Sequence, residues 1–352
     1  MAPSGCKNLS ASLLSAFLAL ALTATATHAV TIDWVTVGDP GNAADDTGNG
    51  AVAQSFRIMK YEWTNSLYVT FLNAVDPDGT NPNSVYNSSM DSSTRAGITN
   101  IGTTNGSRYA VKTDWGDKPV NFVSWFDAAR VANWLHNGAQ AYGSTDASAN
   151  APQNTGAYTI GTVTSGSRIA ANSGAKFYIP TADQWYKAAY YIGGETNAGY
   201  WDYATQSNAR PTSVECDSAG IGLAGPVGNS ANYNYGADWN TRDGNVTTVG
   251  TNGGPGTYGT FDMNGNVMEW NDPATGFARQ SGGGYSESSS LLKSDNYQTF
   301  DESTEGSSIG FRLASPPSSP SGVPEIDPAG MGSVLALVTG ALALRERRRY
   351  GR

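Results

Sequence analysis

Residues 258–270 read YGTFDMNGNVMEW, and this stretch decides the fold more than any other part of the sequence. Gly265 bends it between two carboxylates, Asp262 and Glu269. The second half of the chain around it consists largely of glycine- and asparagine-rich loops, and the whole chain contains 42 glycines. With only 14% charged residues, this composition favours a loop-rich fold with many tight turns over a helical bundle.

Helices are predicted mainly in the first half of the chain, where capping residues precede apolar stretches. The first follows Thr64 and presents an apolar face that ends at Val75. The second begins after Ser124 and stops before Gly138, and the third follows Thr181 and ends before the glycines at 193–194. The strand candidates are residues 56–58 and 176–179. Short helices, short strands and long loops together indicate an α+β domain.

Both ends of the chain carry processing or sorting features. Residues 1–29 read as a secretory signal, with Lys7, an apolar run at 13–22 and small residues before a cleavage point for signal peptidase. The alternative is a membrane anchor, but the run is too short to span a bilayer comfortably. The remaining middle, residues 30–315, has the size of one large domain.

The C-terminal end has three parts in a fixed order. A proline- and serine-rich linker at 316–322 precedes residues 323–352, which begin with a Pro-Glu-x-x-Pro segment. An apolar stretch at 331–344 follows, and then an arginine-rich cluster at 345–349. This order resembles the PEP-CTERM sorting signal, which an exosortase recognises and removes after transient membrane anchoring. A permanent tail anchor is the alternative, because marginal helices insert when flanking charges help.

The charge and the few soft side chains exclude several classes of function. A net charge of −9 and a pI near 4.7 repel phosphate backbones, so nucleic acid is excluded as a partner. Cys6 lies in the leader, which leaves Cys216 as one thiol without a disulfide partner. It is either a small buried apolar side chain, which is the favoured interpretation, or a lone reactive thiol. His136 is the remaining histidine, and its place near the end of the second helix favours a structural role.

Six phrases in the same order resemble the formylglycine-generating (sulfatase-modifying-factor) family. They are KYEWTN at 60–65, PVNFVSWFDA at 119–128, YIPTADQW at 178–185, YGTFDMNGNVMEW at 258–270, GGGY at 282–285 and IGFR at 309–312. The resemblance covers about residues 34–314. It implies a single domain with the formylglycine-generating-enzyme type of C-type-lectin-like fold.

The resemblance also implies where the family's chemistry would lie. In the active enzymes, two cysteines five residues apart follow the Gly-Gly-Ser phrase, bind copper and convert a sulfatase cysteine to formylglycine. Those positions fall at Glu287 and Leu292 here. Neither side chain is the soft thiolate that Cu(I) requires, so copper is not expected. Formylglycine-generating activity is therefore not expected, and no catalytic residue is assigned.

Two calcium sites are implied by the same resemblance. One would use the carboxylates of Asp262 and Glu269 with the carbonyls of Gly265 and Val267. The other would use the family-like positions Asn232, Tyr233, Asp243 and Asn245. Calcium accepts six to eight hard oxygen ligands in flexible geometry, which suits such loops. The alternative for Asp262 and Glu269 is that they only cap turns.

Two functions remain for the exported domain. The first is a binding or structural module of the cell envelope, surface or extracellular matrix, with a glycan or a peptide as ligand. The 9 tryptophans and 18 tyrosines of the chain would supply aromatic faces for it, although most are expected in the core. The second is a sulfatase-modifying type of oxidoreductase with altered chemistry, which rests on analogy between folds.

Overall fold

A computed structural model describes residues 30–102, 107–139, 151–274 and 276–317. Its elements, in chain order, are β1 Trp34–Val37, β2 Phe56–Met59, α1 Asn65–Val75, α2 Ser89–Ser92, β3 Ile98–Asn100, β4 Tyr109–Val111, α3 Trp125–His136, α4 Ala182–Tyr190, β5 Thr212–Ser213, β6 Ser230–Ala231, β7 Met268–Asn271, β8 Arg279–Ser281, a 3-10 helix Ser289–Leu292, β9 Gln298–Thr299, β10 Ile309–Gly310 and β11 Ala314–Ser315. These short elements joined by long loops confirm the predicted α+β class.

The three predicted helices are present as α1, α3 and α4, and each begins at its predicted cap. The Thr64 hydroxyl accepts a hydrogen bond from the Leu67 N–H. Ser124 and Thr181 form reciprocal capping boxes with the third residue of their helices. A capping box pairs two N–H groups that a helix start otherwise leaves unpaired, which is why these sequence signals were reliable.

One of the two strand predictions is wrong. Residues 56–58 belong to β2, as predicted, but residues 176–179 form a single β-bridge between Tyr178 and Ala314. The pairing ends there because Pro180 has no N–H to donate and the cap of α4 follows at once.

Two sheets organise the domain. The first has the order β1-β2-β11, with both outer strands antiparallel to β2. The second has the order β10-β7-β8-β9, and its β10–β7 pair is parallel. The motif 258–270 ends in β7, next to β10, so the two most distinctive phrases of the second half of the chain lie side by side.

The core joins both halves of the chain into a single domain. Trp63, Phe71 and Trp134 come from the first half, and they share one continuous cluster with Trp270 and Phe311 from the second. A smaller cluster lies under α4 around its buried Trp185. Because neither half encloses this core alone, the prediction of one domain is confirmed.

No helix within the described ranges is long and apolar enough to span a bilayer. The predicted leader, residues 1–29, and the predicted sorting segment, residues 323–352, lie outside the described residues.

Candidate functional site

The motif 258–270 leads into β7 and contributes Glu269 to a buried ion pair with Arg312. The Glu269 carboxylate accepts hydrogen bonds from Nε and Nη2 of Arg312, both at 2.7 Å, and from the Trp185 indole N–H at 2.9 Å. Glu269 and Arg312 are fully buried. A bidentate arginine–carboxylate pair of this kind fixes the relative orientation of the two side chains and also pairs their charges. The pair therefore holds β7 against the segment that carries β10.

A second buried carboxylate, Glu62, lies beside this ion pair. Its oxygens accept hydrogen bonds from Asn266 Nδ2 at 2.7 Å and from the Val267 N–H at 3.1 Å. Burial, and after it the charges of Asp262 and Glu269, raise the pKa of Glu62 well above its usual range. Sequence reasoning missed Glu62 as part of the site, because its partners lie about 200 positions away along the chain. Among the six family-like phrases, KYEWTN at 60–65 is the one that contains Glu62.

The first predicted calcium set lies around this network. Asp262 accepts hydrogen bonds from the Gly250 N–H and from Asn252 Nδ2, at 2.5 and 2.8 Å. Asp262 and Glu269 are close enough for the Glu269 charge to raise the pKa of Asp262, although burial raises it more. Protein donors already engage both carboxylates, and Arg312 takes both oxygens of Glu269, so this set fits a hard cation poorly. Calcium there remains a prediction.

The second predicted calcium set contains one buried oxygen that no protein donor engages within the described residues. Asn232 is fully buried, and its Oδ1 has no hydrogen-bond partner within the described part of the chain. Its Nδ2 donates to the backbone carbonyl of Asn245 at 2.8 Å. The Tyr233 carbonyl accepts from the Ser213 hydroxyl at 2.6 Å, and Asp243 is exposed. An unpaired buried carbonyl oxygen is costly, and a hard cation would satisfy it.

Clusters of three or more histidine, cysteine, aspartate or glutamate side chains arranged for a metal ion are absent from the described ranges. The predicted calcium sets are not clusters of that kind, because each relies on backbone carbonyls or amides for half of its ligands or more.

The two positions where the resemblance places cysteines have ordinary structural roles. Glu287 Oε2 accepts from the Gly284 N–H at 3.0 Å, and Oε1 accepts from the Ser286 hydroxyl at 2.9 Å. Leu292 is fully buried, and its carbonyl accepts from Asn264 Nδ2 at 2.6 Å and from the Tyr190 hydroxyl at 3.1 Å. The segment thus forms a defined turn and 3-10 helix, with a carboxylate and an alkyl group at the two positions where the resemblance implies cysteines.

The one thiol in the described residues, that of Cys216, has a raised pKa. Cys216 is only partly buried, which differs from the predicted burial, and it packs against the small cluster that contains Trp239 and Tyr285. Burial, followed by the charges of Asp217 and Asp238, raises the pKa of Cys216 to about 11. A thiol with such a pKa is neither a strong nucleophile nor a ready metal ligand at neutral pH.

His136 ends α3, as predicted, but it does not act there as a cation. Its Nδ1 accepts a hydrogen bond from the Lys176 N–H at 3.2 Å, which requires the neutral ring. Burial and the Lys176 charge lower the pKa of His136. Its role is to tie the end of the helix to the following segment.

Two cavities lie at the two ends of the 3-10 helix. The smaller, about 500 Å³, is lined by Arg210, Pro211, Thr212, Ser213, Tyr233, Asn234, Ser288 and Ser289. The larger, about 710 Å³, is lined by residues 43–47, Tyr191, Thr196, Asn197, residues 199–200, Asp202, Asn208 and residues 293–295. Both volumes fall within the range of about 300–1,000 Å³ that ligand pockets occupy. Sequence reasoning found neither cavity, since each draws on distant segments that share no motif.

Few aromatic rings are exposed in the described part of the chain. Five of the nine tryptophans are fully buried, and they are Trp63, Trp125, Trp134, Trp185 and Trp270. Tyr235 is 51% exposed and meets the Tyr285 ring edge-on, at 6.4 Å between centroids. The Tyr235 N–H donates to the Tyr285 carbonyl, and the Asn234 N–H donates to the Glu287 carbonyl. An exposed ring therefore stands next to the position where the first cysteine would lie.

Comparison with known proteins gives one family match and several structural neighbours. Residues 34–316 match the family model described as the sulfatase-modifying factor enzyme 1-like domain. Among solved structures, CarF is 21% identical, with 82% of this chain and 99% of that chain covered and a TM-score of 0.48. Treponema denticola variable protein 1 is 18% identical, with 81% and 95% covered and a TM-score of 0.45. PvdO from Pseudomonas aeruginosa is 16% identical, with 81% and 92% covered and a TM-score of 0.39. No curated protein matches the chain.

Proposed function

Because the chain belongs to the family of sulfatase-modifying factor enzyme 1-like domains, we propose that it is a member that binds a ligand and does not oxidise cysteine. The observation that carries this proposal is the chemistry at Glu287 and Leu292. One is a carboxylate held by its own turn and the other a fully buried alkyl group. Neither supplies a thiolate, and Cu(I) chemistry depends on soft sulfur ligands.

The sequence of the two ends supports a proposal for the place of action. A secretory signal at 1–29 and a PEP-CTERM-like segment at 323–352 support export by signal peptidase and sorting by an exosortase. We propose that the domain acts in the cell envelope, at the surface or in the extracellular matrix. Its acidic charge suits a neutral or cationic ligand such as a matrix glycan more than an anionic one.

The proposed lack of oxidase chemistry has a direct test. The full chain, incubated with a sulfatase-motif peptide, Cu(I) and oxygen, is expected to leave the peptide mass unchanged, because the thiol pair is missing. Competition with a chromophoric Cu(I) chelator is expected to give the same weak copper affinity for the wild type and for Cys216→Ser, since the Cys216 thiol stays protonated at neutral pH.

The opposite results would establish the alternative, an oxidoreductase with altered chemistry. Conversion of the peptide cysteine to formylglycine would overturn the proposal. So would tight copper binding that Cys216→Ser abolishes, because it would show that a lone thiol can recruit a second ligand.

We also propose a structural calcium ion at the set of Asn232, Tyr233, Asp243 and Asn245. The unpaired Asn232 Oδ1 supports it. Calcium at one hundred times its Kd stabilises a folded protein by about 2.7 kcal/mol, so removing the ion with EGTA is expected to lower Tm by about 5–10 °C. Calcium should restore Tm.

Asp243→Asn tests the assignment, since Asp243 is exposed and its loss should not disturb packing. This variant is expected to lose the calcium-dependent part of Tm. Asp114→Asn, another exposed aspartate outside the set, should keep it. Equal Tm values for the wild type with EGTA and with calcium would contradict the site.

A further inference from the structure

The larger cavity, of about 710 Å³, is strongly acidic. Four carboxylates line it, those of Asp45, Asp46, Asp202 and Asp295, against the single ammonium of Lys293. Four negative charges and one positive charge leave a net charge of −3 in the cavity. Such a cleft concentrates cations relative to bulk solvent.

Two of the four carboxylates, those of the adjacent residues Asp45 and Asp46, lie close together. The Asp46 N–H donates to Asp45 Oδ1 at 2.8 Å, and the Tyr186 hydroxyl donates to Asp45 Oδ2. A side-chain hydrogen bond with Asp45, and then its charge, raise the pKa of Asp46. A cation bound here would relieve this crowding of like charges.

Lys293 does not neutralise the cavity. Its Nζ lies 2.9 Å from Asp295 and 3.9 Å from Asp202, so one ammonium is shared between two carboxylates. Asp45 and Asp46 have no ion pair within the described residues. The cavity therefore has an acidic end at residues 45–46 and a partly compensated end at residues 293–295.

Tyrosine rings form a preorganised wall of the same cavity. The Tyr200 hydroxyl accepts from Asn42 Nδ2 at 2.7 Å and donates to the Ala43 carbonyl at 2.8 Å, which fixes the ring. Tyr191 packs against it edge-on, at 4.9 Å between centroids. Tyr200 lines the cavity and is only partly buried. A fixed aromatic ring offers a stacking surface and attracts cations to its face.

The rest of the lining distinguishes a sugar from a peptide. Hydroxyl and amide groups of Thr47, Thr196, Asn197 and Asn208 complete it. No lining residue belongs to any of the strands β1–β11, so an extended peptide finds no sheet edge to pair with there. The aliphatic side chains of the lining are those of Ala43 and Ala44, which are too small to form a pocket for an apolar anchor residue. Polar groups around an aromatic ring match the ring face and hydroxyls of a sugar.

We propose that this cavity binds an amine-bearing glycan, with the sugar ring against Tyr200 and the ammonium group at Asp45 and Asp46. This inference rests on the proposed binding function and specifies its ligand class. The ligand is hydroxylated and cationic, as in a hexosamine polymer with free amino groups. Neutral N-acetylated sugars and basic peptides each lack one of these two properties.

Isothermal titration of the full chain with a glucosamine tetramer, an N-acetylglucosamine tetramer and tetralysine tests the ligand class. The glucosamine tetramer is expected to bind about tenfold or more tighter than either of the other two, because only it offers both charge and sugar ring. Its affinity should fall as salt rises, since Asp46 and Asp295 are exposed and Asp45 and Asp202 are only partly buried. Equal binding of the acetylated tetramer or of tetralysine would overturn the proposal.

Two substitutions locate the site by opposite effects. Asp46→Asn is expected to weaken glucosamine-tetramer binding about fivefold, and Lys293→Gln to tighten it about threefold, because one removes a favourable charge and the other a competing one. A gain of affinity cannot arise from damage to the fold. Asp114→Asn serves as a control that changes net charge outside the cavity and should leave affinity unchanged.

The outcomes separate this inference from the proposed function. If neither Asp46→Asn nor Lys293→Gln changed the affinity for the glycan, the assignment of the site to this cavity would be overturned. The protein would then be a binding module with its site elsewhere. Absence of binding to all three probes would overturn the ligand class as well. Formylglycine formation would overturn the proposed function alone.

Discussion

Replacing Arg312 by methionine is expected to lower the free energy of unfolding by about 3–5 kcal/mol, the range observed when one partner of a buried ion pair is removed. Methionine leaves Glu269 buried without its partner, beside Glu62 and Asp262. It also deprives the Met59 and Phe261 carbonyls of their guanidinium donors. Urea denaturation monitored by tryptophan fluorescence would give the difference in unfolding free energy.

Two further variants separate the causes. Arg312→Lys keeps the charge but cannot form the bidentate contact, so an intermediate loss of unfolding free energy is expected. Arg242→Met removes an exposed arginine and should cost less than about 1 kcal/mol. If Arg312→Met proved as mild as Arg242→Met, the ion pair would not organise this part of the fold.

The pH dependence of Arg312→Met follows from the raised pKa values of Glu62 and Asp262. Between the unfolded and the raised folded values, the native state binds more protons than the unfolded chain. Stability therefore falls as pH rises through that window. The Arg312 charge lowers both pKa values. Removing it should therefore raise both values and widen the window. The loss caused by the substitution is thus expected to be smaller near pH 4.5 than near pH 8.

Asn266→Ala is expected to cost about 3–4 kcal/mol, since it removes several buried hydrogen bonds and places alanine at a left-handed backbone position. Asn266 has φ of 62°. Its Nδ2 donates to Glu62 at 2.7 Å, and its Oδ1 accepts from the Thr247 N–H at 2.8 Å and from Asn232 Nδ2 at 3.2 Å. Thermal and urea unfolding would both report the loss.

Asn266→Gly is the matched control for the backbone contribution. Glycine loses the same side-chain contacts but adopts a positive φ freely. It should therefore recover about 1 kcal/mol relative to alanine. Equal stability of the two variants would show that backbone strain plays no part, and a loss below 1 kcal/mol for both would show that the network around Glu62 is not structural.

Local signals predicted the parts of this fold that local chemistry determines. Thr64, Ser124 and Thr181 each satisfy N–H groups within three residues, so their helices could be placed from sequence alone. Residues 176–179 had strand-like composition, but only one pairing forms before Pro180, and that limit depends on a partner at Ala314. Strand identity is set by such distant partners more than by composition.

The candidate site was less predictable for the same reason. Asp262 and Glu269 can be recognised from sequence because they share one phrase, whereas the guanidinium that engages Glu269 comes from Arg312, 43 positions later. The acidic cavity joins residues 45–46 to Asp202 and Asp295, which no spacing rule connects. In an acidic chain, the position of a single aspartate in the sequence does not predict a binding site. The acidic cavity becomes visible when the fold brings several aspartates together.

The first sheet has a consequence for how the two ends of the domain relate in space. Val35 and Ala314 both pair with Ile58, one on each side of β2. Adjacent strands lie about 4.8 Å apart, so these two residues are only about 10 Å from each other. Both strands are antiparallel to β2 and therefore parallel to each other, so a linker that joins them must cross β2 and needs about a dozen residues or more. With a linker of that length, the domain is suited to circular permutation with new termini opened at an exposed turn.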